Sequence, residues 1–205
     1  MRGLLLSAAL LALPFAAAGQ WVEGVHYERV ETPDEPRADG KIEVVEVLWY
    51  ACPTCYNLEP WIERWLETKP DDVEFVRIHA SLSPTWRIPA RAFYAAEALG
   101  VTEKVHRPLF DAIHIGRDAL NDVGTLVRIF EEHADISPDA FRAAYSSFGV
   151  DRRMRQGDQR VRQFRVSGVP TLIINGKYRT TPGRAKGYRE TIQLIDHLIE
   201  QERNP

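Results

Sequence analysis

Apolar and polar positions alternate between two periods along this chain. The run Ile42-Glu43-Val44-Val45-Glu46-Val47-Leu48-Trp49 is almost continuously apolar and predicts a buried strand. After it, Tyr56, Leu58, Trp61, Ile62, Trp65 and Leu66 recur at spacings of three and four, which predicts a helix from Cys52 to about Lys69. Pro60 lies inside that helix and predicts a kink, and Pro70-Asp71-Asp72 ends it. Val73 to His79 alternates and reads as a second core strand.

From Pro84 to Phe164 the pattern is helical throughout. Pro89 to Leu99 ends at Gly100, a C-cap signal, and Thr102 can cap a helix to about Ile115. Asn121 precedes a helix over Val123 to His133. Ser137-Pro138 starts another over Asp139 to Phe148, and Arg152 to Phe164 is the last. Strands return after Gly168: Thr171-Leu172-Ile173-Ile174, the turn Asn175-Gly176, and Lys177 to Thr181. Tyr188 to Gln201 closes the chain as an amphipathic helix with Ile192, Ile195, Leu198 and Ile199 on one face. Residues 19–40 read as irregular, with a short strand near Tyr27-Val30 and turns at Thr32 to Pro36 and Asp39-Gly40. The order strand, helix, strand, helical block, strand, strand, helix predicts an α/β fold whose sheet is interrupted by a helical insertion.

The chain has 205 residues, 44% of them hydrophobic, enough for a full core. A net charge of -3 with no basic stripe argues against nucleic acid and against anionic membrane surfaces. The N-terminus changes the picture more. Arg2, the apolar run Leu4 to Leu13 and the small residues Ala16-Ala17-Ala18 have the form of a secretory signal, with cleavage expected after Ala18. Its apolar core falls short of the roughly 20 residues a membrane span needs. Export implies an oxidising compartment, where a dithiol can act as an oxidant.

The candidate chemistry is Cys52-Pro53-Thr54-Cys55, which holds the only two cysteines. A strand-to-helix turn puts Cys52 at the helix start, where free N–H groups and the helix dipole favour an anion such as a thiolate. Such sites lower a thiol pKa. Pro53 suits the first turn, and Cys55 lies about one turn on, close enough to bridge. The predicted device is a reversible disulfide with an exposed, attacking Cys52 and a shielded, resolving Cys55. Zinc would need four ligands, and the six histidines (26, 79, 106, 114, 133, 197) show no paired ligand spacing. A structural disulfide closing so short a loop would restrain the unfolded chain little.

The runs Trp49 to Tyr56, Ala98-Leu99-Gly100-Val101, Pro108-Leu109-Phe110, Val166 to Pro170 and Asn175 to Tyr178 resemble the DsbA family of periplasmic thiol–disulfide oxidoreductases. So do the signal peptide and the helical insertion, and the likeness covers essentially all of the mature chain. The resemblance implies a thioredoxin-like domain over 19–83 and 165–205, with an inserted helical domain over 84–164. It implies that Cys52 is the nucleophile and Cys55 the resolving thiol, and that Val169-Pro170 is a cis peptide beside the disulfide, offering a backbone edge to an extended substrate. Glu46 would be a buried acid beneath the disulfide, with Arg77 and Glu59 as its charged neighbours, handling the Cys55 proton. The residues themselves leave open that Glu46 faces solvent from an edge strand. Thr54 departs from the histidine of the family's best-known motif and can offer Cys52 only a hydroxyl. His79 would lie nearby, either as a compensating imidazole or as an ordinary core or surface histidine.

The implied function is donation of the Cys52–Cys55 disulfide to unfolded, cysteine-containing exported proteins. The implied partners are those substrates and a DsbB-type, quinone-linked membrane oxidase, with no metal or organic cofactor. Residues 19–40 are too short for a dimerisation domain, so a monomer is expected. Two alternatives stay open: a reductase or isomerase on the same fold, and a non-enzymatic peptide-binding chaperone.

Overall fold

The computed structural model describes residues 21–33 and 37–204. The signal-peptide reading and part of the Thr32–Pro36 turn lie outside these residues. A five-stranded sheet has the order β1-β5-β4-β2-β3. Its strands are β1 (Glu28–Arg29), β2 (Ile42–Leu48), β3 (Val73–His79), β4 (Thr171–Ile174) and β5 (Tyr178–Thr180). β2 runs parallel to β3 and antiparallel to β4. This inner place explains its near-continuous apolar run, because both faces of a covered inner strand are buried. Asn175 and Gly176, with φ of 51° and 64°, turn the chain between β4 and β5; Lys177 N donates to the Ile174 carbonyl at 3.0 Å, and Ile174 pairs with Tyr178, so three residues join the strands.

Helix α1 (Pro53–Leu66) follows β2, and α8 (Tyr188–Arg203) closes the chain, after a short helix α7 (Pro182–Ala185) that the periodicity did not predict. The inserted block is a 3-10 turn (Pro84–Trp86) and five helices: α2 (Arg87–Leu99), α3 (Thr102–His114), α4 (Val123–Ala134), α5 (Pro138–Tyr145) and α6 (Phe148–Gln163).

Several expectations need correction. α1 continues through Pro60 and ends at Leu66, short of the expected Lys69. α4 is capped by Asp122, whose carboxylate accepts from Gly124 N and Thr125 N. α6 begins four residues before Arg152, because Ser147 caps it by accepting from Val150 N. β3 is an edge strand, and its burial does not alternate: Val73, Ile78 and His79 are buried while residues 74–77 between them are half-buried. Glu46, by contrast, lies on an inner strand with no exposed surface, which rules out the solvent-facing alternative.

The core has three apolar clusters. One joins Leu48, Tyr50, Cys52 and Cys55 to Phe93, Leu109, Phe110, Leu126 and Phe130 of the helical block. The cysteine turn is therefore seated on the seam between sheet and insertion.

Candidate active site

Cys52 is the N-cap of α1, with φ -83° and ψ 116°, and Pro53 holds the first helical position. Its sulfur accepts from Cys55 N at 3.3 Å and lies 3.4 Å from the Val169 carbonyl oxygen, to which the protonated thiol can donate. The Val169-Pro170 peptide is cis, and it sets that carbonyl against the sulfur. The expectation of an openly exposed Cys52 needs correction: packing of the Val169 loop leaves it 7% exposed. Cys55 has no exposed surface.

The two sulfurs are driven apart in acidity. A hydrogen bond from the Cys55 thiol is the largest influence lowering the Cys52 pKa to about 6. Burial opposes it, while the N–H groups of Cys55 and Thr54 and the Thr54 hydroxyl add to the lowering. Burial, then the hydrogen bond to Cys52 and its charge, push the Cys55 thiol far up. One sulfur is thus an anion at neutral pH and the other keeps its proton.

Beneath the cysteines lies a buried polar cluster. Register places Glu46 of β2 beside Arg77 of β3, with Arg77 Nε 3.4 Å from Glu46 Oε2. Glu59 lies one turn past Cys55 on α1, also without exposed surface, and Arg77 Nη2 reaches its Oε1 at 2.5 Å. Neither Glu46 oxygen has a hydrogen-bond donor among the described residues. Burial first, then the charge of Glu59, raises the Glu46 carboxyl to about 8. Burial also works to raise Glu59, but the contacts from His106 and Arg77 outweigh it and hold this carboxyl below its ordinary value.

Tyr50, two residues before Cys52, is held at three points by histidines. His79 Nε2 accepts its N–H at 3.1 Å, His106 Nδ1 lies 3.0 Å from its hydroxyl, and His114 Nε2 lies 2.9 Å from its carbonyl. Phe110 packs edge-on against the Tyr50 ring at 4.9 Å. His106, Phe110 and His114 fall at i, i+4 and i+8 on one face of α3, a spacing that could have flagged them from the sequence. His79 is fully buried, and burial lowers its pKa to about 3. It is neutral at pH 7 and supplies no positive charge in place of a motif histidine, so the core reading of His79 holds. An apolar groove of about 630 Å³ opens beside the cysteine turn, lined by Trp49, Ala51, Ile88 and Ile113 among others.

Among the described residues, no group of three or more His, Cys, Asp or Glu is arranged to hold a metal ion. The acid–base asymmetry instead suits thiol–disulfide exchange, in which the attacked or leaving sulfur must be stable as an anion.

The family comparison agrees. Residues 43–187 match the DSBA-like thioredoxin domain. The chain belongs to the DsbA family of thiol:disulfide oxidoreductases. It is 39% identical over 213 residues to the thiol:disulfide interchange protein DsbA of Azotobacter vinelandii, covering 100% of this chain and 99% of that one. The DsbA of Pseudomonas aeruginosa is 38% identical over 99% of this chain and 98% of its own length. The crystal structure of Pseudomonas aeruginosa DsbA superposes with a TM-score of 0.84 at 37% identity, covering 89% of this chain and 95% of that one. The oxidoreductase DsbA from Xylella fastidiosa gives 0.81 at 28% identity, covering 87% and 96%. The thioredoxin-like α/β fold with a helical insertion and the dithiol oxidase activity expected from the sequence are those of this family.

Proposed function

We propose that the Cys52–Cys55 pair introduces disulfides into unfolded, cysteine-containing exported proteins in the periplasm. A substrate thiolate attacks Cys52 Sγ. The Cys52–Cys55 bond breaks, a mixed disulfide forms, and Cys55 leaves with the electron pair. Because Cys55 is strongly disfavoured as an anion, it takes a proton, and Glu46 in its protonated form supplies it, with Arg77 and Glu59 setting that carboxyl's charge state. A second substrate thiolate attacks the substrate sulfur of the mixed disulfide and displaces Cys52 as the thiolate. The substrate loses two electrons and the protein gains them.

The observation that carries this reading is the pairing of an N-cap sulfur held down to about pH 6 with a buried partner held up. An oxidised pair whose reduced form contains so stable a thiolate gives its disulfide away readily. The same observation favours the oxidase over a reductase or isomerase. Pro53 and Thr54 tune the sulfur through the helix start. Val169 and Pro170 present the substrate edge, and an extended chain adds to it as a strand.

The redox group is the cysteine pair itself, and the chemistry calls for no metal or organic cofactor. Regeneration needs an external oxidant of the DsbB type, a membrane protein that passes electrons to quinone. The protein acts as a monomer after signal cleavage following Ala18. Its thioredoxin-like domain takes residues 19–83 and 165–205, and its helical domain 84–164.

The test is the redox equilibrium with glutathione, with the Cys52 thiolate followed by its ultraviolet absorbance. The expected outcome is an equilibrium favouring reduced protein and a thiolate midpoint near 6. A midpoint near that of a free thiol, or oxidase activity surviving in Cys52→Ser, overturns the reading.

A further inference from the structure

The mechanism above uses one buried proton, and the cluster offers two carboxylates to carry it. The two are not equivalent. Glu59 Oε1 has the Arg77 guanidinium at 2.5 Å, whereas neither oxygen of Glu46 has a donor in hydrogen-bonding geometry among the described residues. The other oxygen of Glu59, Oε2, faces His106 Nε2 at 3.3 Å. Both of these atoms are buried, and neither has another hydrogen-bonding partner among the described residues. A buried polar atom left unmatched costs roughly 1–3 kcal/mol, so these two atoms are each other's means of avoiding that cost.

The tautomer follows from the opposite edge of the ring. His106 is 4% exposed, and burial lowers its pKa, so it is a neutral imidazole with one N–H. Its Nδ1 lies 3.0 Å from the Tyr50 hydroxyl. A neutral ring cannot donate to both Tyr50 and Glu59, and the Glu59 carboxylate can only accept, so the Tyr50 hydroxyl is the donor to Nδ1. With Tyr50 donating to Nδ1, the single ring proton sits on Nε2, aimed at Glu59. The other titratable or charged groups facing this ring are Arg77 of β3, Glu103 on its own helix, and His79 of β3, which is neutral. Glu103 is 86% exposed and lies 3.8 Å from Arg77, so solvent weakens its hold on the buried pair.

We propose that His106 is a positioning residue for the active-site proton: by spanning the Tyr50 hydroxyl and Glu59 it keeps Glu59 paired with Arg77 as the anion and leaves the exchangeable proton on Glu46. His106 touches neither sulfur nor substrate. It acts by deciding which carboxyl is the acid. It also ties that decision to Tyr50, two residues from Cys52, and so joins the inserted helices to the chemistry of the turn. The inference builds on the proton-transfer role proposed for Glu46.

Carbon-13 NMR of the glutamate carboxyls tests it, with Glu46→Gln and Glu59→Gln spectra for assignment. In the wild-type protein the high-pH carboxyl titration should appear on Glu46 alone. In His106→Leu, where the Glu59 donor is lost, both carboxyls should share it, with the Glu59-to-Glu46 proton ratio raised roughly tenfold or more, the effect of losing a hydrogen bond to a charged group. Two further variants separate chemistry from packing and cover a Leu variant that does not fold. His106→Gln can place an amide N–H near Glu59 and should keep the titration on Glu46. His106→Asn keeps a partner for Tyr50 only and should share the titration as Leu does. If all the folded variants titrate like the wild type, or if Gln behaves like Asn, His106 is a packing residue and the proposal fails. These readouts do not depend on turnover. Failure of the oxidase reading would appear separately, as a wild-type protein that does not oxidise thiols.

Discussion

Thr54 stands between Pro53 and Cys55, and its hydroxyl and backbone N–H both help hold Cys52 down. A histidine there could add a positive charge near the sulfur, and a nearby positive charge favours a thiolate. Thr54→His is expected to lower the Cys52 midpoint below about 6 and to shift the glutathione equilibrium further toward reduced protein. Each unit of midpoint corresponds to about tenfold in proton affinity. An unchanged potential would mean that the helix start and the Cys55 hydrogen bond dominate. Glu46 carries a second prediction. Its folded carboxyl titrates near 8, well above its ordinary value of 4.5. The unfolded chain therefore releases this proton first, and the associated stability is present below about pH 4.5 and lost as pH rises toward 8. Glu46→Gln removes the titration. The melting temperature of the variant minus that of wild type should grow between pH 5 and 8. A difference that does not vary with pH contradicts the buried, neutral carboxyl.

At the scale of elements, α2 and α6 meet at a glycine. A Cβ on Gly157 would lie 2.0 Å from the Tyr94 hydroxyl oxygen and 3.3 Å from Ile78 Cγ2. Tyr94 is 4% exposed, and its hydroxyl donates to the His79 carbonyl at 3.4 Å, so the ring has little room to retreat. Gly157→Ala is expected to destabilise the fold by about 1–3 kcal/mol, the usual cost of overpacking a core. Tyr94→Phe removes the clashing oxygen, and combining the two should recover part of the loss. Chemical denaturation of the two single variants and the double variant measures the coupling; strictly additive effects would show that the helices separate without strain. The α2 end is simpler: Gly100 takes φ 69° as the left-handed C-cap, the conformation its place after Leu99 suggested.

For the whole molecule, the cysteines belong to the same apolar cluster as the inserted helices, and Glu43 of β2 pairs with Arg160 of α6. A shared core predicts one cooperative unfolding transition rather than separate melting of the insertion, with circular dichroism and tryptophan fluorescence coinciding. The redox state should move that transition in a pH-dependent way. In the reduced protein the folded Cys52 thiol titrates near 6, whereas its reference value is 9.0. Between these pH values the unfolded chain holds a proton that the folded one has released, so stability rises with pH across the window and is lost as pH falls through 6. The disulfide form has no such group. The melting temperature of the reduced minus the oxidised protein should increase from pH 6 to 9, as scanning calorimetry in matched buffers can record. A constant difference would remove the thiolate from the account.

The chain order and local patterns were enough to place the strands, most helices, the N-cap cysteine and the hairpin turn. Those depend on neighbours within about one turn: apolar period, capping side chains, Pro53 at a helix start, Asn-Gly at positive φ. Glu46, Glu59 and Arg77 could be named only through family likeness, because a charged residue in a strand pattern has no local signal saying whether it is covered. The sheet order decided that, by making β2 an inner strand and setting Arg77 beside Glu46 in register. The same holds for the grip of His79, His106 and His114 on Tyr50. These residues are 29, 56 and 64 positions from it in the chain, and only the docking of α3 and β3 against the turn brings their ring nitrogens within hydrogen-bonding distance. Burial did the rest, since the acidity of a sulfur or a carboxyl is set by the water it has lost and the charges it faces, and neither exists until the chain has closed around it.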